Sequence, residues 1–80
     1  MKNLIKVERA RYNMSQQDLA DALDITRQSI SAIEKSRFVP SVLIGLKIAR
    51  LFNLKVEEIF FLEEKEKESI TPAVLPEWQR

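Results

Sequence analysis

Arg27, Gln28, Ser31 and Lys35 fall within one short stretch, and together they offer the chemistry that a nucleic-acid surface demands. A guanidinium can donate two parallel hydrogen bonds to the acceptor edge of guanine, and a carboxamide can both donate to and accept from adenine. Hydroxyl and ammonium groups reach base edges or phosphates. If the stretch is helical, all four side chains leave from one side of it. Ile30 and Ile33 then make an apolar stripe on the other side, which needs cover.

The preceding stretch can supply that cover. Leu19, Ala20 and Leu23 form a second apolar stripe, and Ile25 sits in the turn between the two. Ser15 with Asp18 three residues on approximates a capping box, and Thr26 is placed to cap the next helix. Ala20 gives a crossing helix the small side chain that a close approach requires. The expectation is two short helices joined by a tight turn, with the polar face outward on the second.

Composition narrows what else the chain can be. Eighty residues support one small domain with a single core. The chain has neither cysteine nor histidine, so a disulfide framework, a thiolate metal site and the commonest general base are all absent. No nucleophile paired with a base, phosphate loop or metal cluster is evident, so no enzyme and no cofactor are expected. No apolar run has the length of a signal peptide or membrane span, and the expected location is the cytoplasm, with no membrane partner. Net charge is +1, but it is uneven: residues 1–62 carry ten Lys and Arg against seven Asp and Glu, and residues 63–80 carry three against five. The basic excess belongs to the part expected to fold.

In chain order, Lys2 to Tyr12 reads as a first helix with Leu4, Ile5 and Val7 inward and Asn13 as its terminator. Arg9 is expected to pair with Glu34, with direct phosphate contact as the alternative. Ser41 caps a fourth helix to about Phe52, whose apolar residues form two sets. Gly45 lies within it, at a cost of about 1 kcal/mol relative to alanine. Either tight packing inside one protomer or a homodimer contact, with Ile44 beside it, accounts for that glycine. A fifth helix, about Val56 to Leu62, sends Val56, Ile59 and Phe60 to the core and leaves Phe61 and Leu62 as surplus apolar surface. Glu57 and Glu58 diverge by about 100° and read as a solvated face.

Residues 63–80 change character. Glu63 to Glu68 either prolongs the helix or forms a solvated linker, and Pro72 and Pro76 exclude a continuous helix beyond it. Read as extended chain, Ile70, Pro72, Val74, Pro76 and Trp78 fall on one side. The tail is either disordered or an arm that docks on a partner subunit or another protein, with Ile70, Val74 and Trp78 as its contacts.

Arg9, Ser15 to Ala20, Thr26 to Ile30, Ile33 to Lys35 and Pro40-Ser41 together resemble the phage-repressor (Cro/C1, XRE) type of helix-turn-helix regulator. The resemblance covers about residues 2–62. It implies an all-α, five-helix, lambda-repressor-like domain that forms a homodimer and binds double-stranded DNA, followed here by a short extended tail. Where that family favours glycine, this chain has Asn13, Asp24, Ser36 and Asn53. Asn and Asp are the side chains that best tolerate positive φ.

Carried over by position, Arg27, Gln28, Ser31 and Ala32 are the base-reading candidates, the last through its methyl on thymine. Gln16, with Ser15, Gln17, Lys35 and Arg37, are the phosphate candidates. The function expected is sequence-specific transcriptional regulation, as a dimeric repressor on a near-palindromic operator. The rival is an antitoxin-like module that regulates its own synthesis and binds a partner protein through residues 69–80.

Overall fold

A computed structural model describes residues 1–79; Arg80, the last residue of the tail, lies outside the described residues. The chain forms β1 (Lys2–Asn3), α1 (Ile5–Arg11), α2 (Gln16–Leu23), α3 (Arg27–Glu34), α4 (Val42–Leu51), α5 (Val56–Ile59), β2 (Phe60–Phe61) and α6 (Glu64–Glu68). A single 3-10 turn, Glu77–Gln79, follows.

Helix starts are set by side chains. Ser15 Oγ accepts from the Asp18 amide at 2.9 Å while Asp18 Oδ2 accepts from the Ser15 amide at 2.9 Å. Thr26 Oγ1 and Ser41 Oγ accept from the third amide of α3 and α4 at 3.1 and 3.2 Å. The same local logic ends four helices. Asn13, Asp24, Ser36 and Asn53 take φ of 53, 56, 59 and 57°. At each one the next amide reaches back across the helix end: Met14 to Arg9 at 2.8 Å, Ile25 to Ala20 at 3.0 Å, Arg37 to Ala32 at 2.9 Å and Leu54 to Ala49 at 2.8 Å. This is the Schellman arrangement, built four times without glycine.

The amphipathic stripes close over one core. Ile5, Leu19, Ala20, Ile30, Ile33, Ile48, Phe52 and Ile59 are essentially fully buried. Ala20 is fully buried in α2, the helix packed most extensively against α3. Tyr12 stacks on Phe52 with ring centroids 5.8 Å apart.

Several expectations are corrected. Lys2 and Asn3 are not helical: they pair antiparallel with Phe61 and Phe60, so the domain carries a two-stranded ribbon and is not purely α. The Leu4 amide donates to the Ile59 carbonyl at 2.9 Å and α1 begins at Ile5; Leu4 and Val7, expected inward, are exposed. The fifth helix ends at Ile59, because Phe60 turns extended with φ −118° and ψ 136° to join the ribbon.

Glu63–Glu68 neither prolongs that helix nor stays a linker. The Glu63 amide donates to Glu66 Oε1 at 2.7 Å and starts a separate helix, giving six α-helices among the described residues rather than the expected five. The Met1 ammonium, 3.4 Å from Glu63 Oε1 and 3.3 Å from Glu66 Oε2, ties α6 to the ribbon end. The tail has no regular structure from Ile70 to Pro76, and a 3-10 turn spans Glu77–Gln79.

Close helix packing does not account for Gly45. A methyl group there would meet Phe60 and Val56 at 3.9 Å, ordinary contact distance. Ile44 is half-buried against the core, so the outward apolar face of α4 is Val42, Leu43 and Leu46.

Candidate nucleic-acid interface

The exposed face of α3 is a shallow concavity of about 500 Å³ lined by Gln16, Arg27, Gln28, Ser31, Ala32, Lys35 and Arg37. Six of them come from α3 or the loop just beyond it, and Gln16 is the first residue of α2. Thr26, capping α3, puts Arg27 and Gln28 in its first turn, where both side chains are exposed. Ser31 and Ala32 lie one turn on and are partly recessed. The lining holds three cations and no carboxylate, and among the described residues Arg27, Lys35 and Arg37 enter no ion pair.

Arg37 is placed by the helix end before it. In the Schellman arrangement the residue after the positive-φ position usually packs back on the helix as an apolar plug. Met14, Ile25 and Leu54 do so at the other three ends. At the fourth the plug is replaced by an exposed arginine whose amide is bonded to Ala32, so Arg37 projects beside the end of α3.

Glu34 anchors the opposite side. Its carboxylate, nearly buried, accepts from Arg9 Nε at 2.6 Å, Arg9 Nη2 at 3.1 Å and Gln16 Nε2 at 3.1 Å. Arg9 Nη1 donates to the Met14 carbonyl at 2.9 Å. The side-chain hydrogen bonds that Arg9 donates to Glu34 raise its pKa above the usual value. Arg9 thus joins α1 to the end of α3, and direct phosphate contact is not its arrangement here. A carboxylate only accepts, so the Gln16 amide nitrogen must face Glu34 and its carbonyl oxygen is left for other contacts.

Two expected members stand apart from the lining. Ser15 is spent on the α2 cap, and Gln17 Nε2 donates to Asp21 Oδ1 at 2.8 Å along the same helix. One positioning residue had no sequence signal. Asn3 Nδ2 donates to the Ile33 carbonyl at 2.8 Å and Asn3 Oδ1 accepts from the Ile5 amide at 3.2 Å, so β1 holds the end of α3. A contact spanning thirty residues leaves no local pattern to read.

The family model described as helix-turn-helix matches residues 5–59. The chain is 48% identical over 65 residues to YgzD, an uncharacterized HTH-type transcriptional regulator of Bacillus subtilis, covering 81% of this chain and 98% of that protein. It is 47% identical over 66 residues to an uncharacterized HTH-type transcriptional regulator of Methanocaldococcus jannaschii, covering 82% of this chain and all of that protein. It is also 38% identical over 66 residues to the ImmF control region 10 kDa protein of Bacillus phage phi105, covering 76% and 73%. The first two are matched nearly end to end, so about a fifth of this chain lies outside what they share with it.

Proposed function

Because this chain belongs to the Cro/C1-type helix-turn-helix family, we propose that it is a sequence-specific, double-stranded-DNA-binding transcriptional regulator that acts as a dimeric repressor. The observation that carries this reading is the carboxylate-free concavity along α3, in which three cations, without ion pairs among the described residues, flank carboxamides, a hydroxyl and a methyl group. In the reading, α3 enters the major groove, where Arg27 takes guanine, Gln28 takes adenine, and Ser31 and Ala32 meet a base edge and a thymine methyl. Lys35 and Arg37 hold phosphates, and Gln16 stands at the rim, held by Glu34. Ser15 and Gln17 contribute, at most, exposed edges of groups already bonded within α2.

Energetics favour two copies. One helix makes few base contacts, each good bidentate pair adding about 1–3 kcal/mol of discrimination, whereas specific regulators need about 4–10 kcal/mol over non-specific binding. A two-fold dimer places its recognition helices about 34 Å apart, so the site is a near-palindrome with half-sites one turn apart. Occupying such a site blocks polymerase.

The test is selection of binding sites from a random duplex pool, run in parallel on the intact protein and on the Arg27→Ala, Gln28→Ala variant. A two-fold symmetric site enriched only by the intact protein is the expected result. No enrichment by the intact protein would overturn the reading.

A further inference from the structure

Two apolar features outside the polar concavity have no cover. One is a groove of about 290 Å³ lined almost wholly by carbon, with Val39, Val42 and Leu46 on its walls and Gly45, Val56 and Phe60 within. The other is the tail, where Ile70, Val74, Leu75 and Trp78 are all exposed, Trp78 at 80%. We propose that the tail of each protomer lies in this groove of a second copy, an exchange of C-terminal arms that completes the dimer. The inference rests on the dimer proposed above and names the surface that makes it.

Area decides against the simpler arrangement. An aliphatic side chain carries about 60–120 Å² of apolar surface. Val39, Val42, Leu43 and Leu46, each half to four-fifths exposed, therefore offer about 300 Å² per protomer. Two such faces pressed together remove about 600 Å² from water, well short of the ~1,200 Å² at which stable interfaces begin. An arm brings its own surface, about 200 Å² from the tryptophan and about 200 Å² from the three aliphatic residues. With the Val39, Val42 and Leu46 wall it covers, about 230 Å², two-fold exchange reaches about 1,250 Å².

Charge supplies a second, independent fit. The groove runs into a cleft that shares Leu46 and Val56 with it and adds Arg50, Asn53 and Lys55. Among the described residues neither Arg50 nor Lys55 has an ion-pair partner. The arm places a carboxylate, Glu77, directly before Trp78. A tail with its apolar residues in the groove thus brings Glu77 toward the cationic cleft. The tail does not sit on the groove of its own chain, since its apolar residues are exposed there.

The chain has no cysteine and one tryptophan, and both facts serve the test. Single-cysteine variants at Val42 or Leu46 are mixed with single-cysteine variants at Val74 or Leu75 and oxidised. Disulfides between a groove variant and a tail variant, in excess of either homodimer, are the expected result. Dominant groove-to-groove disulfides would overturn the arm, and so would cross-linking confined to one chain of a double-cysteine variant.

Sedimentation and tryptophan emission of the unmodified chain are followed together on dilution. Emission should shift to the red as the dimer dissociates, and Trp78→Ala should weaken self-association by about thirtyfold or more. A dimer in which Trp78 already emits as an exposed side chain would sink the arm alone. A monomer at every concentration would sink the dimer and the arm with it. Neither readout contains DNA, so both leave the assignment of α3 to be judged separately.

Discussion

Glu34 shows how one residue serves both fold and site. It takes two hydrogen bonds from Arg9 and one from Gln16, with its own side chain only 7% exposed. Hydrogen bonds to charged groups contribute about 1.5–3 kcal/mol each way they are broken. Glu34→Gln leaves the Arg9 guanidinium facing a neutral acceptor, and should lower stability by about 2 kcal/mol, or the melting temperature by roughly 8–16 °C. Thermal unfolding followed by circular dichroism reads this directly, and an unchanged midpoint would mean that the pair ties nothing together. Arg27→Ala with Gln28→Ala should leave the midpoint within a few degrees, because both side chains are exposed at the start of α3. The two experiments separate residues that hold the helix from residues that the helix presents.

Caps, turns and the lone glycine act at the scale of the elements. Asp18 is held below the usual carboxylate range, first by the hydrogen bond from the Ser15 amide and then by the Ser15 side chain. A carboxyl whose folded pKa is depressed adds stability above its unfolded pKa and loses it as pH falls through the lower folded value. Melting measured from neutrality downward should therefore fall more steeply below about pH 4 for the intact protein than for Asp18→Asn, which starts lower at neutral pH. Parallel curves would show that the capping box does not couple to protonation. Gly45→Ala fills ordinary contact space against Phe60 and Val56 in a helix interior. It should raise the melting temperature by several degrees, matching about 0.5–1 kcal/mol, and a fall instead would reveal a closer neighbour than the protomer supplies.

On the scale of the whole molecule, the charge that matters is local. A net charge of +1 is too small to suggest a nucleic-acid partner, yet Arg27, Lys35 and Arg37 converge on one face while the excess carboxylates lie beyond residue 62. If Lys35 and Arg37 each meet one phosphate while Arg27 reads a base, a dimer neutralises about four, and the logarithm of affinity should fall with the logarithm of salt concentration at a slope of about −3.6. Arg37→Ala removes two contacts per dimer and should bring the slope to about −1.8, with little change in which sequence is preferred. Fluorescence anisotropy on a selected site across a salt series measures both slopes. Coincident slopes would remove Arg37 from the interface. Among the described residues no helix is long and apolar enough to cross a membrane.

The helix-turn-helix was legible from the sequence because its determinants are local. Ser15 with Asp18, Thr26 and Ser41 start helices within three residues of themselves, and Asn13, Asp24 and Asn53 end them through their own tolerance of positive φ. Periodicity likewise fixed which side of α3 faces outward, and hence which side chains line the concavity. What tertiary structure alone decided are the pairings between distant segments. The Leu4 amide on Ile59, the ribbon of Lys2 and Asn3 with Phe60 and Phe61, and the Asn3 link to Ile33 all cost α1 its first turn or hold α3 in place. No local pattern announces them, since a residue that can begin a helix can as well give its amide to a strand when a distant carbonyl is near. The same holds for the groove beneath α4: periodicity marked α4 as apolar on two sides, but only the packed chain shows which side is left uncovered.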